Sequence, residues 1–172
     1  MTSKAAAGLS LRPVRDDDRE LLYRIYAGTR HEELALATDW SDDVREAFLR
    51  QQFAAQDLFY RENYPGAELS IVLRDGEPVG RLYVDRRSAE IRLMDIALLP
   101  EHRGGGLGTA LLEDLLAEGR AAGKPVTIHV EVYNPAMRLY QRLGFRRKED
   151  KGVYWLMEWR AEEPDPEAAA AT

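Results

Sequence analysis

The sequence predicts a single α/β domain built on one mixed sheet with helices on both faces. Three observations carry that prediction. Across residues 68–99, three strand-like runs follow one another through tight turns at Asp75-Gly76 and Arg86-Arg87-Ser88. This is the pattern of an antiparallel meander. The last run is apolar at Leu93, Met94, Ile96, Ala97, Leu98 and Leu99 and stops at Pro100. It then passes through Arg103, Gly104, Gly105, Gly106 and Gly108 and changes period into a helix. A further strand at residues 126–132 follows that helix, and helices threaded between strands cover the faces of a sheet. Residues 1–160 read as one domain. Residues 161–172 have no apolar period and read as a disordered tail.

The opening segment 1–8 is small and polar and reads as loose. Residues 9–14 alternate enough for a first strand, with Pro13 favouring its edge or end. Asp16 to Asp18 supply an acidic first turn for a helix whose face is Leu21, Leu22, Ile25 and Tyr26. Residues 27–40 read as less regular. His31-Glu32-Glu33 resembles the start of a zinc motif, but the second His of H-E-x-x-H would fall on Ala35. His31 therefore reads as a polar surface residue. Ser41 is an N-cap for a helix running to about Glu62. Its expected buried side is Val44, Ala47, Phe48, Ala54, Ala55, Leu58 and Phe59, interrupted by Gln51 and Gln52. Those glutamines mark either a boundary face or a polar substrate pocket.

Asn63-Tyr64-Pro65-Gly66 ends that helix before the meander begins. After the glycine turn, Leu107, Leu111, Leu112, Leu115 and Leu116 form one helical face that ends near Gly123. Beyond residues 126–132, Asn134-Pro135 turns into a short helix with Met137, Tyr140 and Leu143 on one side, stopped by Gly144. Residues 145–149 and 153–159 flank Asp150-Lys151-Gly152 as a last hairpin.

Composition narrows the function. At 172 residues the chain can bury a substantial core. It has no cysteine, which excludes disulfides and thiolate metal sites and is compatible with a reducing, cytoplasmic compartment. No metal is expected. A net charge of −6 argues against a nucleic-acid partner and suits a cationic amine. No run of about 18 apolar residues occurs, so no membrane span is expected.

The glycine turn points to a phosphate. The first amides of a helix have no partner within it, and the helix dipole adds positive character there. Glycines leave those amides unshielded, and Arg103 is expected to add charge at the same mouth. A P-loop fails because no Lys-Ser or Lys-Thr pair follows the glycines. A dinucleotide fingerprint fails because its last glycine would fall on Thr109 or Leu111.

What fits is R-x-x-G-x-G, from Arg103 through Gly106 to Gly108. Downstream, Asn134, Tyr140, Gly144 and Phe145 follow a strand in order. On these two halves the chain resembles the GNAT superfamily of N-acetyltransferases over roughly residues 69–159. The resemblance implies a GNAT-like fold, in which the strand ending near Leu99 and the parallel strand beside it splay apart. It also implies acetyl-CoA as co-substrate. Its pantetheine arm would lie on backbone groups of Ile96, Ala97 and Leu98. Its pyrophosphate would sit on the turn formed by Arg103, Gly104, Gly105, Gly106, Leu107, Gly108 and Thr109. Asn134 would hydrogen-bond the coenzyme, and Tyr140 would contact it and protonate the leaving thiolate as general acid. Alternatively, Tyr140 is a core tyrosine and Asn134 simply begins a turn. The resemblance also admits a homodimer.

The expected activity is acetyl transfer from acetyl-CoA to a primary amine by direct attack, a small-molecule acceptor being favoured over a protein. The alternative is a non-catalytic acyl-CoA-binding or interaction protein on the same fold. An attacking amine must lose a proton. Asp95, His129, Glu131 and water all remain open as its acceptor, with Asp95 preferred, because an acidic residue inside an apolar strand needs a reason. A structural hydrogen-bond acceptor is the other reading of Asp95.

Overall fold

The computed structural model of the chain describes residue 4 and residues 7–162. Most of the segment expected as a disordered tail, from residue 163 on, lies outside the described residues, as does most of the opening segment. The elements run β1 (Leu9–Pro13), α1 (Arg19–Leu34), α2 (Asp42–Asn63), β2 (Glu68–Arg74), β3 (Glu77–Arg86) and β4 (Ile91–Leu98). They continue with α3 (Leu107–Ala122), β5 (Val126–Glu131), α4 (Met137–Arg142), β6 (Arg146–Asp150) and β7 (Tyr154–Trp159). The strands form one seven-stranded sheet in the order β1-β2-β3-β4-β5-β7-β6. Among its neighbouring pairs only β4 and β5 are parallel.

Local chemistry explains the turns. Asp75 and Gly76 both have positive φ, 49° and 85°, as a two-residue hairpin matching strand twist requires. Ahead of α1, the buried Asp18 carboxylate accepts from Arg12 at 2.7 and 2.9 Å and from the Arg15 N–H at 2.7 Å. Ser41 Oγ accepts from the Val44 N–H and caps α2 as expected.

The sheet divides the core. On one face, Leu107, Leu111, Leu112, Leu115 and Leu116 of α3 pack with Leu93, Val126, Ile128 and Met157. On the other, α1 and α2 bury Leu22, Tyr23, Tyr26 and Phe53 against Ile71 and Tyr83.

Two helix expectations need correction. Helix α1 does not stop after Tyr26 but continues through Gly28 to Leu34. Gly28 serves packing: a Cβ there would stand 2.9 Å from Pro100, in the turn after β4. The second correction concerns the buried side of α2. Its inner face is Leu49, Phe53 and Tyr60, whereas Val44, Phe48, Leu58 and Phe59 are exposed. The inner face carries polar Gln56 and Asp57, which bond arginines at Arg81, Arg19 and Arg61. An apolar stripe alone therefore points to the wrong side of the helix.

Candidate active site

Strand β4 pairs with β5 over only three rungs, Ile91–Val126, Arg92–Thr127 and Leu93–Ile128. Beyond Leu93 the strands part. The cause lies next door, where the β3–β4 register shifts between Tyr83 and Val84, so that Val84 pairs with Leu93 and Tyr83 with Asp95. Met94 is thus the extra residue of a β-bulge, which bends its strand away from a straight ladder. The strand pair is splayed, as the resemblance implied.

Backbone direction past the bulge follows from two contacts. The Leu99 N–H donates to the Val79 carbonyl at 2.8 Å, and the Ala97 carbonyl packs against Gly80. Alternation then turns the peptide groups of Ile96 and Leu98 toward the gap and those of Ala97 toward β3. Of the three residues expected to offer their backbone to a coenzyme, Ala97 thus directs its peptide groups toward β3, opposite Arg81.

At the end of β4 the chain makes a short turn at Pro100–His102 and enters α3 through the glycines. Gly104 and Gly106 have φ of 79° and 80°, a conformation that costs other residues about 1–2 kcal/mol. At Gly104, Gly105, Gly106 and Gly108 an added Cβ would meet nothing within 4 Å. The space on the side-chain side of these glycines is open rather than filled by protein. Among the described residues, no turn or cap bond uses the amides of residues 104–109, and the Ala110 N–H makes the first bond, to Gly106. A row of unused donors at a helix start suits an anion.

Arg103 departs from expectation. Its Nε donates to the Leu98 carbonyl at 3.1 Å, and a Cβ on Gly28 would stand 3.5 Å from its Nη2. The guanidinium is folded back on the end of β4 and α1, because the Leu98 carbonyl has no β5 partner to accept from. Asn134 Oδ1 accepts from the Ala136 N–H at 2.8 Å and so shapes the turn before α4. Its amide nitrogen remains a free donor among the described residues.

Tyr140 lies in α4, is 4% exposed, and packs edge-on to Phe145 at 5.6 Å. Burial, and secondarily the charge of Asp95, push its phenol above the ordinary tyrosine range. It is therefore protonated at neutral pH.

Asp95 is held by neighbours that the sequence reading missed. Arg81, 3% exposed, donates to its two carboxylate oxygens at 2.7 and 3.3 Å. Tyr60 Oη donates to Asp95 at 3.1 Å, and Arg81 also donates to Gln56 Oε1 at 2.9 Å. Burial and Asp95 raise the Tyr60 phenol well above its usual range. The available signal was Arg81 itself, a charge inside the apolar run of β3, the same anomaly that singled out Asp95. Partner and geometry were not readable without the bulge.

His129 and Glu131 lie on β5. His129 Nδ1 stands 3.3 Å from Arg92 Nη1. Arginine only donates, so this nitrogen accepts and the ring is neutral. Burial, then Arg92 and Lys151, hold His129 below the ordinary imidazole range. Glu131 lies 3.9 Å from Arg30 of α1, which also pairs with Glu33 at 2.8 Å. Beside them is a cleft of about 370 Å³ lined by Tyr26, Arg30, Trp40, Phe48 and Gln52, among others. Gln52 thus faces a cleft, and Gln51 faces outward. Among the described residues, no group of acidic and histidine side chains is arranged to hold a metal ion, and no helix is long and apolar enough to cross a membrane.

The model of the Acetyltransferase (GNAT) family matches residues 23–145. The chain belongs to the GNAT acetyltransferase family. It is 31% identical to mycothiol acetyltransferase of Actinosynnema mirum over 142 residues, covering 80% of this chain and 43% of that protein. It is 36% identical to the mouse cysteine-rich protein 2-binding protein over 70 residues, 41% of this chain and 9% of that one. The chain thus spans less than half the length of these relatives. Among solved structures, the PaiA N-acetyltransferase of Thermoplasma acidophilum in complex with coenzyme A superposes with a TM-score of 0.67. The identity is 17%, with 89% of this chain and 99% of that chain covered. An acetyltransferase from Thermus thermophilus superposes at 0.64 with 24% identity, covering 89% of this chain and 97% of that one. These neighbours share the mixed α/β fold of this chain.

Proposed function

We propose that this chain is an N-acetyltransferase that moves the acetyl group of acetyl-CoA to a primary amine, with a small molecule as acceptor. The observation that carries the reading is the parting of β4 from β5 directly beside a glycine turn with unused amides. The peptide groups of Ile96 and Leu98 would receive the amide-bearing pantetheine arm as an added strand. The amides of residues 104–109 would receive the pyrophosphate. Arg103 would contribute by fixing the Leu98 carbonyl, and Asn134 through its free amide nitrogen.

The amine nitrogen attacks the thioester carbonyl, a C–N bond forms, and the C–S bond breaks. Tyr140 gives its proton to the departing sulfur, and the proton released by the amine restores the phenol through water. Asp95 serves this reading better as a fixed anion that orients the amine than as a base that takes its proton. Protonating it would weaken a buried pair with Arg81. The relatives named mycothiol acetyltransferase support acetyl transfer. The cleft lined by Arg30 and Glu33 supports a small-molecule acceptor, since its volume lies in the range of small-ligand sites.

The test is thiol release from acetyl-CoA with a panel of amines, run beside calorimetry of coenzyme A binding. Release with at least one amine supports the reading. Binding without release on any amine supports the non-catalytic acyl-CoA-binding alternative, and absence of binding removes both.

A further inference from the structure

Trp40 and Phe48 are large aromatic residues at the surface, 37% and 36% exposed, and they stack edge-on at 5.2 Å. With the buried Tyr26 and with Leu34 they line the cleft of about 370 Å³ between the second half of α1 and the first half of α2. Three aromatic rings around one small cleft give it flat apolar walls, which suit a flat apolar group.

The charges at this cleft are already matched. Arg30 donates to Glu33 at 2.8 Å, lies 3.9 Å from Glu131, and stands over the Tyr26 ring at 5.7 Å. A carboxylate on the occupant would have to displace Glu33 or Glu131 from Arg30 and then face both as like charges. An uncharged ring meets no such opposition.

A polar row leads from the cleft to the wedge between β4 and β5. Gln52, which lines the cleft, Gln56 and Tyr60 are spaced i, i+4 and i+8 and so share one stripe of α2. Gln56 Oε1 accepts from Arg81 at 2.9 Å, and Tyr60 Oη donates to Asp95 at 3.1 Å. One step of that row is about 6 Å. A ring at the level of Phe48 and Gln52 thus places an amine on a short alkyl arm beside Asp95, the anion that orients it.

We propose that the acceptor is a primary amine joined by a short alkyl arm to an aromatic ring, with the ring held among Tyr26, Trp40 and Phe48 and no carboxylate on the arm. In the transfer proposed above, on which this acceptor class depends, the amine nitrogen bonds to the acetyl carbon and the thioester C–S bond breaks. The proton lost by the amine balances the one taken up by the coenzyme thiolate.

The test measures thiol release from acetyl-CoA with 2-phenylethylamine, with butylamine, which has an arm and no ring, and with phenylalanine, which adds the carboxylate. The kcat/KM for 2-phenylethylamine is expected to exceed each of the others by about tenfold or more, the weight of a buried ring. Phe48→Ala should bring its advantage over butylamine to within about threefold, while calorimetry shows coenzyme A binding as in the wild type. Comparing that ratio between wild type and variant cancels the difference in amine basicity. Butylamine or phenylalanine equal to or better than 2-phenylethylamine overturns the acceptor class and leaves acetyl transfer standing. So does an advantage that survives both Phe48→Ala and Trp40→Ala. If no amine releases thiol, the transfer reading fails, and calorimetry of 2-phenylethylamine on the coenzyme A-loaded protein decides for the cleft. Binding that Phe48→Ala abolishes keeps the aromatic site, and absence of binding overturns it as well.

Discussion

Arg81 grips Asp95 across neighbouring strands, with hydrogen bonds of 2.7 and 3.3 Å and the arginine almost wholly buried. The register past the bulge sets them as diagonal neighbours on one face of the sheet, Arg81 opposite Ala97 and Asp95 opposite Tyr83. The bulge at Met94 re-aims Asp95 so that it meets the guanidinium on the α1–α2 side.

Removing one member of this pair strands the other. Arg81→Met is expected to destabilise the fold by roughly 3–5 kcal/mol in urea denaturation. Asp95→Asn, which keeps shape and one acceptor, should cost less. Arg81→Met with Asp95→Leu should cost clearly less than the two single losses added together. Additive losses would mean that the pair is not energetically coupled.

Tyr140→Phe removes a hydroxyl and nothing else. Turnover should fall by about 10²–10⁴-fold, the usual contribution of a positioned acid, while the dissociation constant for acetyl-CoA stays within about twofold. Wild-type turnover in this variant would take the phenol out of the reaction.

Gly106 and Gly105 are expected to answer differently to the same change. Gly106 has a left-handed φ of 80°, so Gly106→Ala should cost about 1–2 kcal/mol of stability and weaken coenzyme A in calorimetry as the turn relaxes. Gly105 has open space and no positive φ, and Gly105→Ala should change stability by less than about 0.5 kcal/mol. Undiminished coenzyme A affinity in Gly106→Ala would show that the turn does not hold the phosphate.

His129 predicts a dependence on acidity. Its folded pKa is lowered, first by burial and then by Arg92 and Lys151, with Glu149 and Glu90 opposing. Below the unfolded value of about 6.5, the unfolded chain takes up a proton that the folded chain resists. The contribution of His129 is therefore complete above that value and is lost as pH falls through the folded one. His129→Gln should flatten the decline in stability between about pH 7 and pH 5. An unchanged slope would remove His129 as its source.

The parts legible in the sequence were those set by local chemistry. Asp75-Gly76 specified its hairpin, Ser41 its cap, and the leucines of α3 their face. The glycine turn was legible because its conformation and its openness are backbone properties. The face of α2 was not, because Gln56 and Asp57 occupy inner positions where they meet Arg81 and Arg19, distant in sequence. The partner of Asp95 was hidden for a related reason: one inserted residue, Met94, shifts which side chains share a side of the sheet. Arg103 is expected at the phosphate, but its Nε bonds the Leu98 carbonyl, which is open to it because the strands part.

The three rungs between β4 and β5 join what are otherwise two half-sheets, β1 to β4 on one side and β5, β7 and β6 on the other. An amide-bearing chain lodged in the wedge would lengthen that seam and stiffen the whole slab. Amide exchange in β4 beyond Leu93 and in β5 beyond Ile128 should then slow together on saturation with coenzyme A, making the thiol carrier a temporary eighth strand.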